Sequence, residues 1–138
     1  MIKKALNLAI NSYDEKTYAH VMRVAGYVAS NNAIEPNYKE GCIVLAILHD
    51  ILEDTKVTLD SLDNVFIKAI VEGLKILTKD KKEDYNAYCK NIRDKSDSLA
   101  GTYAYFVKLA DMKDHLNLKD TLTDRLKEKY LEGLAELL

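Results

Sequence analysis

Apolar residues recur three and four apart along almost the whole chain, the spacing of a helix face rather than a strand. Residues 1–11 place Ile2, Ala5, Leu6, Ala9 and Ile10 on one side, and residues 16–31 place Val21, Val24, Ala25 and Val28 on one stripe. The stretch NNAIEPNY, residues 31–38, reads as a loop with Pro36 near the start of the next helix, where the missing proline N–H costs nothing. Residues 38–52 are apolar on most sides, which predicts a buried central helix. Thr58, Ser61 and Asp63-Asn64 predict a short helix, followed by a longer one through VFIKAIVEGLKIL to Leu77. The polar TKDKKED segment reads as a loop. Residues 84–94 predict a further helix, and Ser96-Asp97-Ser98 offers capping groups for a long one over 98–117. Asp120 is expected to open the last helix, with Leu122, Leu126, Tyr130, Leu134 and Leu137 on its inner stripe. No segment alternates as a half-buried strand does, so the expected class is all-α.

Composition narrows the picture. At 138 residues the chain is long enough for one domain, taken as residues 1–138, and shows no repeat or linker that would divide it. One proline and five glycines are too few breakers for a sandwich of short strands. A net charge of −2 gives no reason to expect a nucleic acid polymer or an anionic membrane as partner. No run approaches the roughly 18–20 apolar residues of a membrane span. The opening MIKKALNLAI is interrupted by Asn7, Asn11, Asp14 and Glu15, and reads as an amphipathic helix rather than a secretion signal. Cys42 and Cys89 lack CxxC spacing and read as reduced thiols of a cytoplasmic protein. The oligomeric state is left open.

The chemistry begins at LHDILEDT, residues 48–55, where a solidly apolar run stops at His49-Asp50 and resumes only briefly before Glu53-Asp54. Titratable groups beside a core segment are costly unless paired or bound. Asp111 interrupts another apolar stretch, YFVKLA, and His20 sits on the stripe of Val21 and Val24. Two imidazoles and two carboxylates suit Mn²⁺, Fe²⁺ or Zn²⁺, and a bound dication would compensate the buried acids. Glu53 returns to the face of His49 and Asp50, and Asp54 lies four residues after Asp50. Carboxylates so placed can orient or deprotonate a water that a dication has acidified, or can form a solvated helix end with a local cap.

The ordered set His20 in HVMRVA, then LHDILEDT, then VKLADMKDHL resembles the HD-domain superfamily of metal-dependent phosphohydrolases. HDILEDT and VKLAD are similar, more narrowly, to the hydrolase domain of the RelA/SpoT family, which removes the 3′-pyrophosphate of guanosine tetra- and pentaphosphate alarmones. The resemblance implies an HD-domain helical bundle with one divalent metal, Mn²⁺, held by His20, His49, Asp50 and Asp111. It implies that Glu53 and Asp54 act on the water nucleophile. The chain is too short for the family's synthetase domain, so a stand-alone hydrolase of a small nucleotide is expected. Two departures bear on the substrate. The asparagine that contacts nucleotide four residues after the metal-binding aspartate is His115 here, which could bond ribose or phosphate, act as a general acid, or partner a carboxylate. Basic residues that hold nucleotide ahead of the first histidine are reduced to Lys16. A loop lysine such as Lys82 in KDKKEDY could hold phosphate instead. Another nucleotide, with a 5′-nucleotidase-like activity, and a non-catalytic nucleotide-binding regulatory module are the alternatives.

Overall fold

A computed structural model describes residues 1–118 and 120–138. Helices follow one another in the order α1 (Ile2–Ser12), α2 (Glu15–Ser30), α3 (Pro36–Leu48), α4 (Ile51–Asp54), α5 (Leu59–Asp63), α6 (Lys68–Leu77), α7 (Tyr85–Asp94), α8 (Leu99–Asn117) and α9 (Asp124–Leu137), and the described residues include no strand. Among them no helix is long and apolar enough to cross a membrane.

The all-round apolar helix is the centre of the molecule. Val44, Leu45, Ala46, Ile47 and Leu48 of α3 are all buried, and α1, α2, α6 and α8 pack around them. Pro36 is the first residue of α3. The long α8 packs against α2, α3, α6, α7 and α9. Two glycines set its position. Any side chain at Gly41 of α3 would press into the Tyr103 ring, and any at Gly101 would run into the Lys95 carbonyl oxygen. The caps follow the sequence: Asp14 accepts from the Thr17 amide at 2.7 Å, Asp84 from Ala87 at 3.1 Å and Ser98 from Gly101 at 3.0 Å.

Three boundaries differ from expectation. The helix predicted over 38–52 stops at Leu48; His49 and Asp50 form a turn, with Asp50 at φ −99° and ψ 2°, before the single turn of α4. The last helix opens at Asp124, capped by the Thr123 hydroxyl, which accepts from the Leu126 amide, and not at Asp120. Residues 65–67 lie outside α6, which begins at Lys68. Both cysteines are free and buried, Cys89 as fully as Cys42 despite its polar neighbours.

Candidate metal centre and active site

Three segments bring the chemistry together: α2, the turn between α3 and α4, and the middle of α8. His20 faces inward from α2, on the stripe of Val21 and Val24. Asp111 faces inward from α8 and is buried. The break at Leu48 resolves a geometric difficulty. Adjacent side chains on a continuous helix diverge by about 100°, but the turn lets both members of the pair converge. His49 Nε2 lies 3.3 Å from Asp50 Oδ2 and 3.3 Å from Asp111 Oδ1. His20 Nε2 lies 2.9 Å from the same Asp111 oxygen and 3.5 Å from Asp50 Oδ2.

Each ring is fixed through its other nitrogen. His20 Nδ1–H donates to Asp114 Oδ2 at 2.7 Å, and His49 Nδ1–H donates to the Ala46 carbonyl at 2.6 Å. Asp114 is held in turn by Arg23, through Nε at 2.8 Å and Nη2 at 3.0 Å. A histidine oriented by a carboxylate or a carbonyl on one nitrogen, with the other aimed at a shared point, is the arrangement of a metal ligand. The Lys108 ammonium donates to Asp111 Oδ2 at 2.9 Å, leaving Oδ1 to the histidines.

The electrostatics agree. Burial opposes a charge on either ring. Yet Asp111 and Asp114 raise the His20 pKa, and Asp50 with Asp111 raises that of His49 to about 9. Burial also opposes the charge on Asp111, but Lys108 and the imidazoles hold its carboxyl well below the usual range. The cluster is thus a negative pocket that takes up protons when nothing else balances it. His20, His49 and Asp111 each present a ligand atom within 4.8 Å of the others. Two imidazoles and carboxylates at these separations suit a divalent cation, and Asp50, within 3.5 Å of both rings, stands beside the same point.

Two clefts flank the centre and meet at Asp50, His115 and Tyr130. The first, about 230 Å³, adds Glu53, Lys79, Tyr85, Lys108 and Lys129 to its lining. The second, about 400 Å³, is lined by Lys16, Arg23 and Asp54 and by the apolar Leu118, Leu122 and Leu126. The adjacent acids therefore part company: Glu53 lies in the first cleft and Asp54 in the second. Glu53 accepts from the Lys79 backbone amide at 3.1 Å, and partial desolvation, together with the nearby Asp50 charge, raises its pKa. Asp54 is raised by desolvation and by Asp50 and Asp14. Lys82 is placed differently from the expectation: it is exposed, its amide bonds Asp80 at 3.1 Å, and it lines neither cleft, whereas Lys79 of the same loop does. His115 lies beside the centre, 3.2 Å from Asp111 Oδ1, with its ring stacked on Tyr130.

Arg23, Asp114, Lys79 and Tyr130 were not singled out as site residues from the sequence. Spacing carried a signal for two of them: Arg23 follows His20 by three residues and Asp114 follows Asp111 by three, so each shares its ligand's helix face.

With this geometry in view, the HD domain family's model matches residues 17–126. The chain belongs to the HD domain family. HD domains bind divalent metals, and the positions of His20, His49 and Asp111 accord with that. The HD domain here is also similar to a solved structure described as a metazoan ortholog of SpoT that hydrolyzes ppGpp and plays a role in starvation responses. The TM-score is 0.71 at 20% identity, over 99% of this chain and 84% of that one. At that identity the likeness is one of fold. No curated protein matches the sequence.

Proposed function

We propose that this HD domain is a metal-dependent phosphohydrolase that removes the 3′-pyrophosphate from a guanosine alarmone. The observation that carries the reading is the convergence of His20, His49, Asp50 and Asp111, with Glu53 in the lysine-rich cleft beside them. Bound by those four residues, a divalent cation, Mn²⁺ by resemblance to the family, supplies Lewis acidity to water and to a phosphoryl oxygen. The protein does the rest. Glu53, whose raised pKa suits it to proton transfer nearer neutral pH, takes the proton of the attacking water. As the water oxygen bonds the 3′ phosphorus, the bond from that phosphorus to the ribose 3′-oxygen breaks, the 3′-oxygen takes up the proton and leaves with the nucleotide, and Lys79 and Lys129 meet the negative charge of the pyrophosphate in the first cleft. Lys108 stays on Asp111 and keeps that carboxylate aligned. The second cleft, with its leucines, Tyr130 and Lys16, has room for the nucleoside end, and Asp54 stands at its border.

A panel of nucleotides incubated with metal-loaded protein tests this. Guanosine 3′,5′-bis(diphosphate) should give guanosine 5′-diphosphate and one equivalent of pyrophosphate, with no free phosphate. Turnover of another nucleotide alone, with release of phosphate, would move the assignment to a nucleotidase. That reading is favoured by Lys16 being the one basic residue shortly before His20. Binding of nucleotide without turnover would make the domain a regulatory module.

A further inference from the structure

We infer that the backbone amide of Lys79 is a positioning group for the reaction: by occupying Glu53 Oε1 it leaves Oε2 as the oxygen that receives the proton of the attacking water. The inference rests on the reading of Glu53 as the base. Glu53 belongs to α4, a single turn spanning Ile51–Asp54, and the residue is exposed, so packing alone does not fix its rotamer. A glutamate side chain has several rotatable bonds, and holding it in one geometry takes an outside partner. That partner lies 26 residues further along the chain: the Lys79 N–H donates to Glu53 Oε1 at 3.1 Å.

The amide is itself held from both sides. Before it, Thr78 closes the end of α6, its amide and its hydroxyl both donating to the Leu74 carbonyl, at 3.0 and 2.8 Å, and the Tyr88 hydroxyl donates to the Leu77 carbonyl. After it, Asp80 makes a turn: Oδ1 accepts from the Lys82 amide at 3.1 Å and the carbonyl accepts from the Glu83 amide at 3.0 Å. The Lys79 ammonium donates to the Asp80 carbonyl at 2.9 Å, and the residue lines the first cleft together with Glu53. Lys79 therefore has two separable duties: its ammonium serves the phosphate and its amide serves the base. An N–H donor also favours an ionised carboxylate. On Glu53 it works with Lys108 against desolvation, Asp50 and Asp54, which favour the protonated form, and Tyr88 is a further titratable neighbour.

The test separates the two duties in the full-length protein. Lys79→Pro removes the N–H, and Thr78, at φ −81° and ψ 113°, already has the extended backbone that a residue before proline adopts. Lys79→Ala keeps the N–H and removes the ammonium. In Lys79→Pro, kcat should fall by about 10- to 100-fold, and the limb along which activity rises with pH should move up by about one pH unit, the worth of one hydrogen bond to a charged group. In Lys79→Ala, KM should rise while that limb stays where it is in wild type. Asp80→Ala, which keeps every amide but loosens the turn, should shift the limb in the same direction by less, and it carries the test if melting curves show Lys79→Pro to be unfolded. Titration of the Glu53 carboxyl carbon by nuclear magnetic resonance follows the same change without turnover. A Glu53 that titrates alike in wild type and in the folded amide or turn variant would overturn the inference and leave the proposed function standing. A shifted titration in protein whose wild type hydrolyses no nucleotide would overturn the proposed function and leave the amide as the group that orients Glu53.

Discussion

Glu53 and Asp54 are neighbours in sequence with different surroundings. Glu53 is anchored by the Lys79 amide and faces the lysine-bearing cleft, while Asp54 borders the leucine-lined one. If Glu53 is the proton acceptor, Glu53→Gln keeps its shape and removes its basicity. Turnover should fall by roughly 10²–10⁴, while metal content, measured on the purified variant, stays near one equivalent. Loss of the metal would make Glu53 a ligand instead. Its raised pKa has a direction to check. The base must be ionised, so activity should rise with pH along a limb displaced above the ordinary glutamate value, and that limb should vanish in the glutamine variant.

At the scale of elements, α8 concentrates the site on one helix face: Lys108, Asp111 and His115 follow at three and four residues, with Asp114 beside them. Lys108 and Asp111 are both buried, so the pair stands or falls together. Lys108→Met should destabilise metal-free protein by about 3–5 kcal/mol, the usual cost of stripping one partner from a buried ion pair. The loss should be smaller in metal-loaded protein, because the cation then balances Asp111; denaturant unfolding of both forms measures the difference. Helix periodicity made most of this element readable in advance, from the Ser98 cap to Asn117. It could not reveal the turn at His49-Asp50, because apolar residues continue with helical spacing through Ile51 and Leu52 and the departure lies in the backbone angles of Asp50. Nor could it separate Lys79 from Lys82, which differ only in how a polar loop folds over Glu53. The start of α9 also departs from the expectation at Asp120, because the helix opens only at Asp124, where the Thr123 hydroxyl caps it.

At the scale of the molecule, the centre joins α2, the α3–α4 turn and α8 around a shared point. Without a cation the protein keeps it together with protons. The raised pKa of His49, about 9, means that its charged form stabilises the metal-free fold fully below the unfolded histidine value of about 6.5. That contribution is lost as pH rises through about 9. Melting temperature of the stripped protein should therefore fall on going from neutral to alkaline pH, and that of loaded protein should hold, since the cation takes the protons' place. Loading at neutral pH should release protons, visible as a heat of binding that depends on the ionisation enthalpy of the buffer. Loading should also raise the melting temperature with free metal concentration, by an amount that corresponds to about 4 kcal/mol at a thousandfold excess over Kd.

The two clefts meet at Asp50, His115 and Tyr130 rather than merging into one bowl. For an in-line displacement at phosphorus, in which the incoming and outgoing oxygens face away from each other, that layout amounts to a passage with two exits. On the proposed reaction, pyrophosphate and guanosine 5′-diphosphate would each have a cleft of its own to leave by. Asp50, His115 and Tyr130, the side chains at the divide, would then lie against both products.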